Sequence, residues 1–210
     1  MIFKPTGTST ALINAVKPHI TTGKLLDLGC GCGIVGKSLY AKDIQLYASD
    51  ISQEAIDNLN DNSIIKRCGS LFEPWQGIEF DYIVDDVSGV AESIARMSPW
   101  FKGVPCDSGW DGTDLVCKVI SQAPKYLTEC GKLFFPIVSL SNKLRIVQTA
   151  VENFNHVKCI ATKQFPLPRE MYDVFEYYDL LQSMRLRGEI DFKEAFGQII
   201  FWTDIYIAQS

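Results

Sequence analysis

The chain reads as a three-layer α/β protein, with a parallel sheet between two layers of helices. Three observations predict this. Short apolar runs alternate with segments of helical spacing along most of the chain. The run Leu25-Leu-Asp-Leu28 leads into a glycine cluster, Gly29-Cys-Gly-Cys-Gly33, and then into the helix-forming stretch Ile34–Ala41. The 210 residues, 47% hydrophobic, suffice for one sizeable core, and no linker, repeat or low-complexity tract divides them. One domain over 1–210 is the expectation.

The elements follow in order. Helical spacing over Ser9–Val16 predicts an opening helix, and Leu25–Leu28 the first strand. After the glycine loop and its helix, Gln45–Ser49 is a second strand, and Ser52 is placed to cap a helix running through Asn60. Ile64–Cys68 and Tyr82–Val84 are further strands. Asp111–Leu127 reads as helical, with Leu115, Val116, Val119, Ile120 and Ala123 on one face. Lys132–Val138 is the next strand. Ser141 then caps a helix whose expected buried stripe is Leu144, Val147 and Val151. His156–Ala161 and Ile199–Ile207 read as the last two strands, with an extra helix, Asp173–Arg187, between them.

The glycine loop carries the chemistry. Gly29, Gly31 and Gly33 let the backbone turn tightly and let a ligand lie against main chain where a Cβ would clash. A nucleotide-like cofactor at the C-terminal end of a strand is the first expectation. Gly31-x-Gly33-x-x-Gly36, with Asp50 ending the next strand, also satisfies the dinucleotide fingerprint. Asp27 decides against NAD. A pyrophosphate sits on backbone N–H groups at a helix N-terminus, where a nearby carboxylate repels it. S-adenosylmethionine (SAM) has no phosphate, and its methionine end carries an ammonium group that an acid can hold, directly or through water.

These residues, with Ala48-Ser-Asp-Ile-Ser52, Gly69-Ser-Leu-Phe-Glu-Pro74, Phe80-Asp-Tyr-Ile-Val84, Asp111-Gly-Thr-Asp-Leu115 and Gly131-Lys-Leu-Phe-Phe135, resemble the class I SAM-dependent methyltransferases. Within them the chain is similar to the small-domain branch that includes the HemK-like glutamine N5-methyltransferases, most clearly over residues 4–140. The resemblance implies a Rossmann-like sheet of seven strands, mostly parallel with an antiparallel last strand. It implies SAM as cofactor, leaving S-adenosylhomocysteine (SAH) as product. By position it assigns Asp27, Gly29, Cys30, Gly31 and Gly33 to the methionine end, Asp50 with Ile51 to the ribose hydroxyls, and Ser70 with Leu71 to the adenine. Thr8, in the segment Thr6–Ser9, belongs to a stretch that closes over the cofactor in such enzymes.

The catalytic signature departs from that branch. Its members end the fourth strand with Asn-Pro-Pro-aromatic, which accepts hydrogen bonds from a planar amide or amine. Here Asp86 stands at the Asn position, Val87 and Ser88 replace both prolines, and Gly89 replaces the aromatic residue. A glutamine or base acceptor is therefore not inherited by resemblance. A carboxylate can instead accept hydrogen bonds from an amine, or take a proton from an ammonium or hydroxyl group. Adjacent residues of a strand point to opposite faces, so one of Asp85 and Asp86 enters the pocket, Asp86 by position, with Ser88 as a polar neighbour. The loop Met97–Gly112, rich in Pro, Gly and aromatics, reads as a lid over the acceptor, with Trp100, Phe101 and Trp110 as its wall. Phe165–Arg169 is a second wall. Tyr172, Phe175, Tyr177 and Tyr178 read as core or as a surface for a partner subunit, which leaves a homodimer open.

Composition narrows the partners. The formal charge of −5 argues against a large nucleic-acid footprint. No apolar run is long enough to span a bilayer, and the N-terminus lacks a signal-peptide layout, so a cytoplasmic enzyme is expected. The seven cysteines are scattered and odd in number, which suits reduced thiols. His19 and His156 show no metal spacing, and no metal is expected. The functional expectation is methyl transfer to a small molecule, nitrogen favoured over oxygen. The alternatives are a SAM-binding protein without methylation activity and a protein N-methyltransferase that needs a partner. HemK-like enzymes usually carry a helical domain ahead of this one for their protein substrate, which weighs against the second alternative.

Overall fold

The computed structural model describes residues 5–87, 89–103 and 106–210. Its strands are β1 (Gly23–Leu28), β2 (Ile44–Asp50), β3 (Ile65–Cys68), β4 (Phe80–Asp85), β5 (Leu127–Val138), β6 (His156–Pro166), β7 (Lys193–Ala195) and β8 (Gln198–Gln209). Its α-helices are α1 (Gly7–Val16), α2 (Ile34–Leu39), α3 (Gln53–Asp57), α4 (Glu92–Met97), α5 (Asp114–Gln122), α6 (Lys143–Asn153) and α7 (Phe175–Leu186).

The sheet runs β3-β2-β1-β4-β5-β8-β6. β1 to β5 are parallel to one another, and β8 is antiparallel to both β5 and β6. This is the seven-stranded, Rossmann-like methyltransferase arrangement with its antiparallel last strand. The three-residue β7 adds an eighth strand, pairing only with β8 through a tight hairpin at Phe196 and Gly197. The chain leaves β1 toward β2 on one side and returns from β3 to place β4 on the other, so a crevice opens at the C-terminal ends of these strands. Register sets its level. Leu28 lies beside Ser49 and beside Asp85, so Gly29, Asp50 and Asp86 leave the sheet together.

Strand alternation divides the core. Leu26, Leu28 and Ile83 face α5 and α6, whereas Leu25, Leu46 and Val84 face α1 and α2. All six are buried on both-sided cover, as parallel strands require. A third apolar cluster joins α4, α7 and the β7–β8 hairpin around Met171, Leu181, Phe192 and Phe201, and closes the upper end of the sheet.

Several boundaries differ from the sequence reading. The helix expected over Asp111–Leu127 starts at Asp114, because buried Asp111 accepts from Thr113 and Arg145 and Gly112 turns through φ +78°. It ends at Gln122, where Pro124 shapes a short 3₁₀ turn, and Leu127 opens β5. Its Val116, Val119, Ile120 and Ala123 are buried as the face predicts, but Leu115 turns to the crevice. α6 is capped by Asn142, whose side chain accepts from the Arg145 N–H, while the Ser141 hydroxyl donates to the Val138 carbonyl. With that start, Ile146 and Ala150 are buried and Val147 packs beside them, whereas Leu144 and Val151 are exposed. Ser52 caps α3 through Ala55, but the helix stops at Asp57, where the Asn58 side chain donates back to the Glu54 carbonyl.

Candidate functional site

The crevice at the strand ends is a cavity of about 780 Å³, within the usual ~300–1,000 Å³ of a ligand pocket. Its cofactor-facing wall is mostly main chain. Gly29 and Cys30 donate their N–H groups to the Ser49 carbonyl, and Gly31 donates to Asp50 Oδ2 at 2.9 Å. The Ser52 N–H donates to Asp50 Oδ1 at 2.8 Å, so the carboxylate is pinned from two sides at the cavity edge. Gly29 has φ +76°, and a Cβ there would meet Val87 at 2.9 Å. Only glycine permits that turn and that close approach. Ile51, Ser70 and Leu71 line the same end, Leu71 in a left-handed conformation (φ +46°) that turns its backbone back toward the strand ends. Thr8 lines the cavity from the start of α1, where Thr6 caps the helix, and its hydroxyl meets that of Thr203 on β8.

Three of the residues assigned to the cofactor lie behind this wall. Asp27 is wholly buried in β1, its Oδ2 accepting from the Gly36 N–H at 2.8 Å and its Oδ1 without a partner among the described residues. Burial pushes its carboxyl up to about 7, opposed by the Gly36 hydrogen bond. Cys30 is buried, and burial with the charges of Asp27 and Asp50 pushes its thiol up. Gly33 is the left-handed N-cap of α2, where a Cβ would collide with Leu59. These three shape the loop, while Gly29, Gly31 and Asp50 form its surface.

At the acid pair, only Asp86 lines the cavity. Asp85 is fully buried, with Oδ1 accepting from the Val87 N–H and Oδ2 unpartnered among the described residues; burial pushes it up to about 7. The Ser9 hydroxyl donates to Asp86 Oδ2 at 2.8 Å. Burial pushes the Asp86 carboxyl up to about 8, and the Ser9 hydrogen bond pulls the other way. The sequence reading placed Ser9 in the segment that closes over the cofactor but missed this bond, because its partner lies 77 positions away. Ser88 lies outside the described residues.

The remaining walls come from distant segments. Trp100 and Phe101 line the cavity from the loop after α4, Phe165 from β6 and Phe201 from β8. Trp100 and Phe165 each lie against Phe201, with ring centroids 5.3 and 5.5 Å apart. Trp110 is a correction. It is 60% exposed and outside the cavity, because Gly109 and Gly112 turn the chain outward around it. Phe201, Pro136 and Val138 had no signal beyond strand pattern. Of the aromatic helix, Tyr172 and Tyr178 pack on the third cluster, whereas Phe175 is exposed. Among the described residues no group of three His, Cys, Asp or Glu could hold a metal ion, and no helix is long and apolar enough to cross a membrane.

Known proteins align with this geometry. Residues 6–85 match the family model described as methyltransferase small domain. A release factor glutamine methyltransferase of Clostridium acetobutylicum is 28% identical over 177 residues, 73% of this chain and 60% of that protein. The chain spans roughly half the length of the curated relatives it matches: 60%, 40% and 42% of three of them. In fold it is similar to the E. cuniculi Mtq2–Trm112 complex responsible for methylating the eRF1 termination factor, with TM-score 0.63, 12% identity, and 100% and 99% of the two chains covered. It is similar also to the T. thermophilus 16S rRNA N2 G1207 methyltransferase solved with AdoMet and guanosine. That match has TM-score 0.56 and 14% identity, and covers 99% of this chain and 44% of the other.

Proposed function

We propose that the chain, whose residues 6–85 match the methyltransferase small domain, is a class I SAM-dependent methyltransferase that methylates a nitrogen or oxygen of a small molecule held in the cavity between Asp86 and the aromatic walls. The residues at the strand ends fit the cofactor. Gly29 and Gly31 offer a surface without side chains, and each oxygen of Asp50 keeps a second lone pair for a ribose hydroxyl beyond its backbone partner. Asp27, buried behind the glycine loop with one oxygen unpartnered among the described residues, would act on the methionine ammonium by its charge through the loop rather than by contact. When bound, SAM supplies a methyl group on a positively charged sulfur, already activated for in-line displacement. The protein's part is then to orient the acceptor, exclude water and accept a proton.

Asp86 carries the reading. It stands where the resembling branch has its amide-binding asparagine, it lines the cavity, and Ser9 fixes one of its oxygens. That leaves the other oxygen to take a proton from the acceptor. Trp100, Phe101, Phe165 and Phe201 enclose a volume suited to a small acceptor, with no planar Pro-Pro-aromatic platform for an amide or base.

The test is a titration with SAM, SAH and NAD, followed by an SAH-release screen of small amines and alcohols. We expect adenosyl ligands to bind and NAD not to, with turnover lost in Asp86→Asn at unchanged SAH affinity. Unchanged turnover in that variant would sink the role of Asp86. A second reading, methylation of a protein with the help of a partner, is favoured by the exposed Phe175 and Leu186 at the two ends of α7 and by the partnered complex among the fold's likenesses. Turnover only on co-expression with a binding partner would establish it instead.

A further inference from the structure

We propose that the acceptor is a cationic amine, which the cavity selects over neutral and anionic molecules of the same shape; this rests on the methyltransferase reading above. The argument is the balance of charge along the cavity wall. The described residues that line it include three carboxylates, Asp50, Asp86 and Asp107, and no lysine, arginine or histidine. Asp50 is pinned at the cofactor end by Gly31 and Ser52. Two acids therefore remain for the acceptor, and they are differently placed. Asp107 is exposed, at the rim, and also lines the neighbouring cavity across the Phe101 loop. Asp86 is partly buried at the end of β4. Around them stand the faces and edges of four aromatic rings, Trp100, Phe101, Phe165 and Phe201.

Carboxylates in a half-apolar cavity lose hydration, and a cation recovers that loss where a neutral molecule cannot. Burial, with the charges of Asp27 and Asp85 behind it, pushes the Asp86 carboxyl up to about 8, and a cation beside it would favour its charged form. Aromatic rings attract an ammonium group further, most strongly where water is excluded. Inside the cavity a phosphate or carboxylate would meet Asp86 with no basic residue on the lining, since Arg96 and Lys102 stand with Asp107 around the neighbouring cavity, so nucleotides and polynucleotides are disfavoured. The exposed Asp107 would draw the ammonium to the rim, and Asp86 would hold it and take its proton, freeing the lone pair that accepts the methyl group.

The experiment is calorimetric titration of the SAH-saturated chain, and of the chain without SAH, with three probes of one shape: phenethylammonium, 2-phenylethanol and phenylacetate. We expect the ammonium to bind about tenfold more tightly than the alcohol, and phenylacetate to bind least. Asp86→Asn should bring the ammonium and alcohol affinities together while leaving SAH affinity unchanged, and Asp107→Asn should narrow the gap less. A gap unchanged in Asp86→Asn, equal or tighter binding of the alcohol or of phenylacetate, or no binding of any probe up to about 10 mM, would overturn the inference. Failure of SAH itself to bind overturns the methyltransferase reading, and the ranking of probes without SAH still decides the preference for charge.

Discussion

The two ends of the crevice are built from different materials. At the cofactor end, the wall is backbone: glycine N–H groups fastened to β2, and a carboxylate held by two more N–H groups within the span of residues 29 to 52. At the acceptor end, the wall is side chain, drawn from α1, the loop after α4, β6 and β8. A backbone site keeps its shape when surface residues change, whereas a side-chain site changes its ligand with each substitution. One scaffold can therefore hold a constant cofactor while its acceptor varies.

The sharpest contrast should come from paired substitutions. Asp86→Asn should lower kcat by about 10²–10³ with little change in SAH affinity, read by turnover against calorimetry; equal losses in both would erase the division between the ends. Asp50→Ala should do the opposite. It removes a carboxylate and strands the Gly31 and Ser52 N–H groups, weakening SAH about 30-fold or more, since hydrogen bonds to a charged group contribute roughly 1.5–3 kcal/mol.

Gly33→Ala tests whether backbone alone sets the cofactor end. Strain at φ +77° and the collision with Leu59 should cost about 1–3 kcal/mol of stability, seen as a lower denaturation midpoint. Ser9→Ala should lower turnover several-fold and move the acid limb of activity. Asp86 must be ionised to take a proton, so activity of the parent chain should rise with pH toward about 8. Removing the Ser9 donor, which favours the charged form, should push that limb higher. The smallest effect is expected at exposed Trp110, where alanine should change binding and stability by less than about 0.5 kcal/mol.

Stability without ligand should follow pH in the less usual direction for acids. Asp27, Asp85 and Asp86 hold protons in the folded chain up to about 7, 7 and 8, against an ordinary 3.8. Between those limits the native state binds more protons than the unfolded one. Stability therefore falls as pH rises from about 4 to 8, traceable by thermal melts, and Asp→Asn changes flatten the slope.

The same contrast explains what the sequence disclosed. The alternation of strand and helix, the glycine loop and Asp50 are legible because their meaning is local: spacing and turn chemistry within one βαβ unit. The acceptor wall is not local. Phe201 reads only as one more apolar strand residue, yet it meets Trp100 and Phe165 from segments 101 and 36 positions earlier. Trp110 misled for the same reason, since a tryptophan in a glycine-rich loop has no pattern that says which way it turns. On α6, the expected stripe kept only Val147 at the core, because the buried face is centred on Ile146 and Ala150 and leaves Leu144 and Val151 outside.

The position of β8 sets an order of assembly. It lies between β5 and β6 and is antiparallel to both, although it follows them in the chain. As the polypeptide leaves the ribosome, β1 to β5 can pair and lay down the cofactor end. β6 must then wait, its edge unsatisfied, for a strand that emerges some 30 residues later. Phe165 and Phe201 meet only when β8 slots in. The nascent chain would thus acquire a place for the methyl donor before it has any place for the molecule to be methylated.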